Sequence, residues 1–413
     1  MRDVSATAAR TALAGRIRAS QAVADAFRLV PRHAFLAEFG LAEAYLDDAV
    51  VVQSDAAGLP VSAATQPAMM AVMLDQLGLA PGHRVLEIGT GTGYNAALLA
   101  CLAGDQRSVI TIEADAGLAA RARAALAAAG YGEITVLTGD GAPGAPDHAP
   151  FDRIIATAGI WDIPPAWLAQ LSHNGRMVLP LAVRGIQLSV ALEPAGDHWV
   201  SGSARRCGFI RGGGALAGPE SLLALGPEPG LHAYAVDGPV PDPAELYHAL
   251  AADPIELPTG LQAANVAQLA DLDLWLTVTE PSLGRLNLFG RHEGNAGPAQ
   301  RRIADLMPLG GLVCPAGPGP LGVATLCPAG GWAPAGSSGI LVRGYGPAGA
   351  ALAASLARQA TCWHEQGRPG TGELRLAVHP AEAQLKLMAG EIIVDRPHAR
   401  LHVSWDMTPA VSW

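Results

Sequence analysis

Three glycines at alternate positions, Gly89, Gly91 and Gly93, stand directly after the apolar run Val85-Leu86-Glu87-Ile88. A strand, a tight turn and the helical pattern from Asn95 to Ala103 make a loop that can cradle a nucleotide-like cofactor, with Glu87, Gly89, Thr90, Gly91 and Gly93 as candidate contacts. The spacing is G-x-G-x-G. The dinucleotide fingerprint is G-x-G-x-x-G, and Tyr94 stands where its last glycine would fall, so the loop favours S-adenosylmethionine over a nicotinamide dinucleotide. About 20 residues on, Ser108 to Glu113 reads as a second buried strand, and an acid at its end can accept hydrogen bonds from a ribose diol. Glu113 also fits a helix N-terminal acid, because a helical run of Ala, Leu and Arg follows Asp115. Ile134 to Gly141 is a third β-rich run, closed by Gly139-Asp140-Gly141, which read alone is a simple turn. In an open parallel sheet the ligand lies outside the carboxyl ends of the strands, so the glycines, Glu113 and Asp140 converge on one crevice.

The elements that must position these residues alternate. Phe151 to Thr157 and Gly175 to Leu181 supply further strands, which predicts a doubly wound, mostly parallel Rossmann-like α/β sheet. Residues Ala6 to Arg18 and Gln21 to Leu29 have helical spacing and form an N-terminal cap, while Ile186 to Leu192 and His198 to Val200 are expected to close the sheet edge as antiparallel strands. A first domain over 1–211 follows, then a Gly/Pro-rich linker or crossing over 212–242 and a C-terminal α+β domain over 243–413. In that domain Pro243 to Ala252 and Ala348 to Gln366 read as helices. Leu274 to Val278, Ile340 to Val342, Leu374 to Val378, Ile392 to Val394 and Arg400 to Trp405 read as strands, and Trp275, Trp332, Trp363, Trp405 and Trp413 as core.

One helix upstream of the glycine loop lies Thr65-Gln66-Pro67. Its hydroxyl suits the N-cap of a helix from Pro67 to Leu77, a substrate contact, or both.

Taken in order and spacing, several segments resemble the protein-L-isoaspartate O-methyltransferase family of class I S-adenosylmethionine methyltransferases over residues 30–192. They are Val30-Pro-Arg-His-Ala-Phe35, Ala44-Tyr-Leu-Asp47, Thr65-Gln-Pro67, Val85 to Gly93, Gly139-Asp-Gly141, Pro150-Phe-Asp-Arg-Ile-Ile155 and Gly175-Arg-Met-Val-Leu-Pro180. The resemblance implies methyl transfer to a side-chain carboxylate of Asp or isoAsp in a peptide or protein, leaving S-adenosylhomocysteine, after which the ester closes to a succinimide and releases methanol. By motif, Thr65 falls on the catalytic Ser/Thr position, Gly89, Thr90, Gly91 and Gly93 on the cofactor loop, Glu113 on the ribose acid, and Asp140 and Gly141 on the adenine-side pair. Gln66 shares the catalytic segment, and Arg32 and His33 are candidate peptide contacts. Thr65 replaces the commoner Ser, and Ser62-Ala-Ala64 replaces the usual Thr-Ile; both departures bear on substrate preference.

The residue types suit that reaction. A carboxylate is already nucleophilic at neutral pH and a sulfonium methyl is already activated, so placement rather than a strong base supplies the catalysis. The layout of the extension, down to Val403-Ser-Trp405, resembles actinobacterial members associated with ribosomally made modified peptides such as lanthipeptides, graspetides and lasso peptides. This implies methylation of one Asp in a macrocyclic peptide gripped by the extra domain. Cutting the chain after Arg211 is then expected to spare cofactor binding and abolish transfer. The alternatives are general repair of isoaspartyl damage in proteins and a non-catalytic binding scaffold. A dehydrogenase requires the glycine loop to be misread.

A net charge of −10, with Lys386 the only lysine, disfavours nucleic acid. Five cysteines, Cys101, Cys207, Cys314, Cys327 and Cys362, lack metal-ligand spacing, so no metal is expected, and their odd number suits a reducing cytoplasm. No run reaches the ~18–20 apolar residues of a membrane span. The oligomeric state has no signature.

Overall fold

The apolar runs that end beside the glycine loop and at Glu113 become adjacent parallel strands, and the other elements are layered around them. A computed structural model describes residues 2–56, 60–219, 221–226, 232–236, 242–279, 283–289, 311–315, 322–328, 338–388 and 390–406. Helices α1 (Arg2–Arg16), α2 (Gln21–Leu29) and the short α3 (Leu41–Ala44) precede a hairpin of β1 (Val50–Ser54) and β2 (Pro60–Ala64). The alternating unit is α4 (Pro67–Leu77), β3 (Val85–Ile88), α5 (Tyr94–Ala103), β4 (Val109–Glu113), α6 (Ala116–Ala128), β5 (Thr135–Thr138), β6 (Phe151–Ala156) and α7 (Pro165–Gln170). A meander of β7 (Leu171–Val183), β8 (Ile186–Ala195) and β9 (His198–Cys207) follows. Then come β10 (Ser221–Ala224), β11 (His232–Val236), α8 (Pro243–Ala251), β12 (Ile255–Ala263), α9 (Val266–Thr279), β13 (Leu283–Phe289), β14 (Gly311–Pro315), β15 (Val323–Pro328) and β16 (Ser338–Tyr345). The described chain closes with α10 (Gly349–Glu365), β17 (Leu374–Pro380), β18 (Ile392–Asp395) and β19 (Ala399–Trp405).

The main sheet has ten strands in the order β18-β19-β17-β9-β8-β7-β6-β3-β4-β5. Its half from β5 to β7 is parallel and the rest antiparallel. Strands β3 and β4 are buried along their whole length, as helices on both faces require. Side chains alternate between two cores. Val85, Val109, Ile155 and Val178 meet Phe27, Leu74 and Leu98 of the helical layer. Leu86, Ile110, Ile154 and Met177 face the opposite way.

The sheet does not close at β9, where the sequence placed its edge. Val378 pairs with Trp199 and Leu376 with Ser201, and β19 and β18 continue outward from β17. Residues 374–405 therefore complete the ten-stranded sheet, and the expected division at 211 and 242 is not how the sheets divide. Their period-two apolar faces, Leu374/Leu376/Val378, Leu401/Val403 and Ile392/Val394, prolong the core of Leu86 and Met177.

The intervening strands form a separate antiparallel sheet of seven, ordered β10-β11-β13-β14-β15-β16-β12. The strand expected at Leu274 to Val278 is part of helix α9. This helix is buried on two sides, which removes the one-sided period that marks a surface helix. Leu269, Leu272 and Leu276 pack with Val342, Leu356 and Trp363, whereas Leu274 and Val278 enter the core of the ten-stranded sheet. Arg206 of β9 and Asp273 of α9 pair at 2.8 Å across this contact. Trp275 and Trp363 are buried and Trp405 is half-buried; Trp332 and Trp413 lie outside the described residues. Among the described residues no helix is long and apolar enough to cross a membrane.

Candidate active site

The glycine loop leaves β3 with φ of 100° at Gly89, 53° at Gly91 and 86° at Gly93, a backbone region that side chains rarely adopt. At Gly89 space is a second requirement: a Cβ would lie 2.6 Å from the hydroxyl of Thr157, which donates to the Gly89 carbonyl at 2.5 Å. A Cβ at Gly91 would meet nothing within 4 Å, so this part of the loop borders open space.

Glu113 ties the loop to the neighbouring strand. Its Oε2 accepts from the Gly91 N–H at 2.8 Å and its Oε1 from the Asp115 N–H at 3.1 Å. Each oxygen keeps acceptor capacity for a further donor. The helix-capping role considered for Glu113 falls to Asp115, which accepts from the Leu118 N–H at 2.7 Å.

Beneath the loop runs a buried polar chain. Thr111 donates to Glu87 Oε2 at 2.6 Å, and Asn95 donates to Glu87 Oε1 at 2.7 Å. Because the single hydroxyl proton of Thr111 goes to Glu87, Thr90 is the donor in its 2.7 Å contact with Thr111. Glu87 is 0 % exposed and Thr90 is buried with its hydroxyl turned inward. The direct cofactor contact expected of the Glu87 carboxylate therefore gives way to support from below: it binds strand β3 to β4 and to the first turn of α5. Thr111 and Asn95 carried no signal in the sequence beyond their polar type inside apolar runs.

Asp140 is exposed, and its Oδ1 accepts from the Ala142 N–H at 3.0 Å. Gly141 is buried, and a Cβ there would lie 2.6 Å from Ile88 Cγ2. Past Asp140 runs a strap made from the segment that reads as a linker in the sequence. Gly159 N–H donates to the Ile210 carbonyl and Gly212 N–H to the Gly159 carbonyl, both at 2.8 Å, and Trp161 N–H reaches the Leu216 carbonyl at 3.3 Å. A Cβ on Gly214 would lie 3.7 Å from Asp140 Oδ2, and Leu216 is buried beside Gly141.

Thr65 lies between β2 and α4, half-buried, with no hydrogen bond from its side chain among the described residues. The N-cap of α4 is Gln66, not Thr65. Asp47 does the capping from a distance: its Oδ1 accepts from the Ala68 N–H at 2.8 Å, and its carbonyl accepts from Gln66 Nε2 at 3.1 Å. The C-terminal end of α4 is held at the start of β6, where Arg153 donates to the Leu77 carbonyl at 2.8 Å. An 11-residue helix is about 16 Å long, so its start, with Thr65, lies toward the carboxyl ends of the parallel strands. The Thr65 segment and the glycine loop thus share one edge of the sheet, without a direct hydrogen bond between them.

A family profile described as protein-L-isoaspartate(D-aspartate) O-methyltransferase matches residues 10–211. The protein-L-isoaspartate O-methyltransferase of Methanococcoides burtonii is 43% identical over 164 residues, 40% of this chain and 78% of that protein. The chain belongs to the protein-L-isoaspartate O-methyltransferase family. It is an S-adenosylmethionine-dependent carboxyl methyltransferase. The Methanopyrus kandleri relative of the same name is 40% identical over 202 residues, 48% of this chain and 84% of its own length. A solved protein-L-isoaspartate O-methyltransferase is similar over 90% of this chain and 96% of its own, with 22% identity and a TM-score of 0.49. A Plasmodium falciparum structure, titled as a complex with S-adenosyl-L-homocysteine, covers 49% of this chain and 97% of its own, at 17% identity and TM-score 0.42.

The peptide contact expected of Arg32 is not available in this methyltransferase. Its guanidinium is 0 % exposed, lies 5.2 Å over the Tyr94 ring, and donates through Nε to the Ala44 carbonyl at 2.9 Å. It fastens the Pro31 turn to α3. Tyr94, the residue that replaces the dinucleotide glycine, points into the core as the platform for this cation. His33 is half-buried, with Nδ1 2.8 Å from the Tyr45 hydroxyl.

Glu87 gives this methyltransferase a measurable pH signature. Burial pushes its carboxyl up from the ordinary 4.5 to about 7, against the hydrogen bonds from Thr111 and Asn95, and Glu113 adds to the rise. The native state therefore binds more protons than the unfolded chain between those values. The associated stabilisation is complete below 4.5 and lost as pH rises through 7, on the order of 3 kcal/mol in all. Glu87→Gln is expected to remove that dependence. Urea unfolding of both proteins from pH 4.5 to 7.5 checks it; a difference between them that stays constant with pH would contradict the assignment.

Proposed function

We propose that this chain methylates the side-chain carboxylate of one chosen aspartate in a ribosomally made, macrocyclic peptide, and that the ester then closes to aspartimide and opens to isoaspartate. The observation that supports this reading is the docking of the C-terminal hairpin on the loop after β6. Arg396 lies 4.4 Å over the Trp161 ring and donates to the Trp161 carbonyl at 3.0 Å. The His398 N–H donates to the buried Asp162 Oδ2 at 2.9 Å, and its Nδ1 lies 2.8 Å from the same oxygen. The added strands thereby reach the loop bonded to the strap beside Asp140, where a dedicated peptide substrate would be presented.

S-adenosylmethionine, when bound, supplies the activated sulfonium methyl. The open space at Gly91 and the acceptor oxygens of Glu113 and Asp140 fit a nucleoside: Glu113 would take the ribose hydroxyls, and Asp140 with Gly141 the adenine edge. The Thr65 hydroxyl, without a hydrogen-bond partner among the described residues, would hold one carboxylate oxygen of the substrate while the other attacks. A hydrogen bond to a charged acceptor contributes about 1.5–3 kcal/mol, so Thr65→Ala is expected to lower kcat roughly 10- to 100-fold while the cofactor KM stays fixed. Thr65→Ser should retain most of the rate. Equal loss in both variants would remove the hydroxyl from this role.

A second reading, repair of isoaspartyl damage in proteins, is favoured by the names of the Methanococcoides burtonii and Methanopyrus kandleri relatives. Offering an unstructured isoaspartyl peptide beside a macrocyclic aspartyl peptide, and following methyl mass gain and methanol release, separates the two. Turnover of the unstructured peptide alone overturns the tailoring role.

A further inference from the structure

Between α3 and the β1–β2 hairpin lies a cavity of about 250 Å³, lined by Phe39, Glu43, Leu46, Asp48, Val50 and Val51 among others. Its wall strand β1 pairs with β2, the strand that leads into Thr65. Val50 is the register partner of Ala64, the residue before Thr65, and Asp47, beside the cavity residue Asp48, caps the helix that begins at Pro67. A side chain seated here would thus belong to a substrate whose reacting carboxylate lies at Thr65.

The chemistry of the walls is mixed in a particular way. Leu46 and Val51 are 55 % and 45 % exposed, more than large aliphatic groups in a settled core. The charged members are both acidic, Glu43 and Asp48, and the lining contains no lysine or arginine. The Glu43 carboxylate has no partner among the described residues, and Asp48 uses one oxygen to accept from the N–H of its own neighbour Ala49 at 2.8 Å. Aliphatic walls with carboxylates at the mouth match a side chain that buries a methylene stem and keeps a cationic head in water. The volume falls below the roughly 300–1,000 Å³ of sites that enclose whole small molecules, which suits a single side chain.

We propose that this cavity is a subsite for a lysine or arginine side chain flanking the acceptor carboxylate of the peptide. The assignment rests on the carboxyl-transfer reading above. It adds a rule for sequence context: Leu46 and Val51 take the stem, and Glu43 and Asp48 the charge.

The test is a set of macrocyclic aspartyl peptides, run beside linear isoaspartyl hexapeptides, with lysine, norleucine or glutamate at each position flanking the acceptor in turn. At one flank, kcat/KM is expected to favour lysine over norleucine by about tenfold, with glutamate lowest and the preference shrinking at high salt. In the double variant Glu43→Gln/Asp48→Asn the lysine-to-norleucine ratio should fall toward one, and in Glu43→Lys/Asp48→Lys it should swing toward glutamate. Both positions are exposed, so these changes leave the core intact. Methylation at equal efficiency for all three flanks, or a lysine preference that survives the double variant, overturns the subsite while the carboxyl-transfer reading stands. Calorimetry of the same peptides on enzyme saturated with S-adenosylhomocysteine covers the converse: tighter binding of the lysine peptide, lost in the double variant but without any methylation, keeps the subsite and removes the transfer reading. Absence of any flank dependence in binding overturns the subsite too.

Discussion

A chain cut after Arg211 is expected to lose cooperative folding and cofactor binding together, not transfer alone. The cut removes Leu374, Leu376, Val378, Ile392, Val394, Leu401 and Val403, together with Leu274 and Val278 of α9, from the core that also contains Leu86, Ile88 and Ile112 of β3 and β4. Burying one such side chain is worth about 1.5–3 kcal/mol, so even a fraction of the nine reaches the about 5–15 kcal/mol by which a domain is stable. The cut also bares the edge of β9, whose backbone groups then lack the partners that β17 supplies. It releases Asp162 and Trp161 from His398 and Arg396 as well. Thermal unfolding of residues 1–211, with and without S-adenosylhomocysteine, checks this. A monomeric fragment with a cooperative melt and full-length affinity would refute it. The outcome is not prejudged by the family, since the Methanococcoides burtonii relative matches 164 residues of this chain with 78% of its length.

The arrangement of the candidate crevice was legible because its signals are local. A glycine loop, an acid at the end of the next strand and a Gly-Asp-Gly turn are each written in a few consecutive residues, and the parallel topology brings those strand ends together. What stayed hidden depends on partners far away in the chain. Pairing of Val378 with Trp199 leaves no trace in either segment alone, so residues 374–405 read as part of a second domain. Helix α9 misleads for the opposite reason: apolar on two faces, its Leu274 to Val278 stretch looks like a buried strand. Gly212 to Gly214 resembles a flexible linker by composition, yet a Cβ on Gly212 would lie 2.9 Å from Leu216 Cβ and Gly214 holds a φ of 59°, so both places suit glycine for reasons of fold. At Arg32 the residue type suggested carboxylate recognition, while burial over Tyr94 gives it a packing role. Asp47 caps α4 across 21 positions of sequence, and no local pattern could assign it.

Replacing Glu113 is expected to cost the most affinity of any single change in the crevice. Its carboxylate holds the Gly91 and Asp115 N–H groups, so Glu113→Ala removes two charge-assisted hydrogen bonds before any ligand is considered. Each such bond contributes about 1.5–3 kcal/mol, and a loop that must be re-ordered on binding adds its own penalty, so affinity for S-adenosylhomocysteine should fall by at least about 100-fold. Glu113→Gln is not a rescue: one of its two ends must present an NH₂ group to a backbone N–H, donor against donor. Loss of affinity alone would fit a merely structural role, and the ribose assignment needs a sharper measurement. Wild-type enzyme should discriminate S-adenosylhomocysteine from its 2′,3′-dideoxy analogue by 10-fold or more in Kd, because the analogue lacks the donors that Glu113 accepts. Glu113→Ala should bind the two nearly alike, so that protein change and ligand change are not additive. Additive losses would leave Glu113 as a strut for Gly91 and send the ribose elsewhere in the crevice.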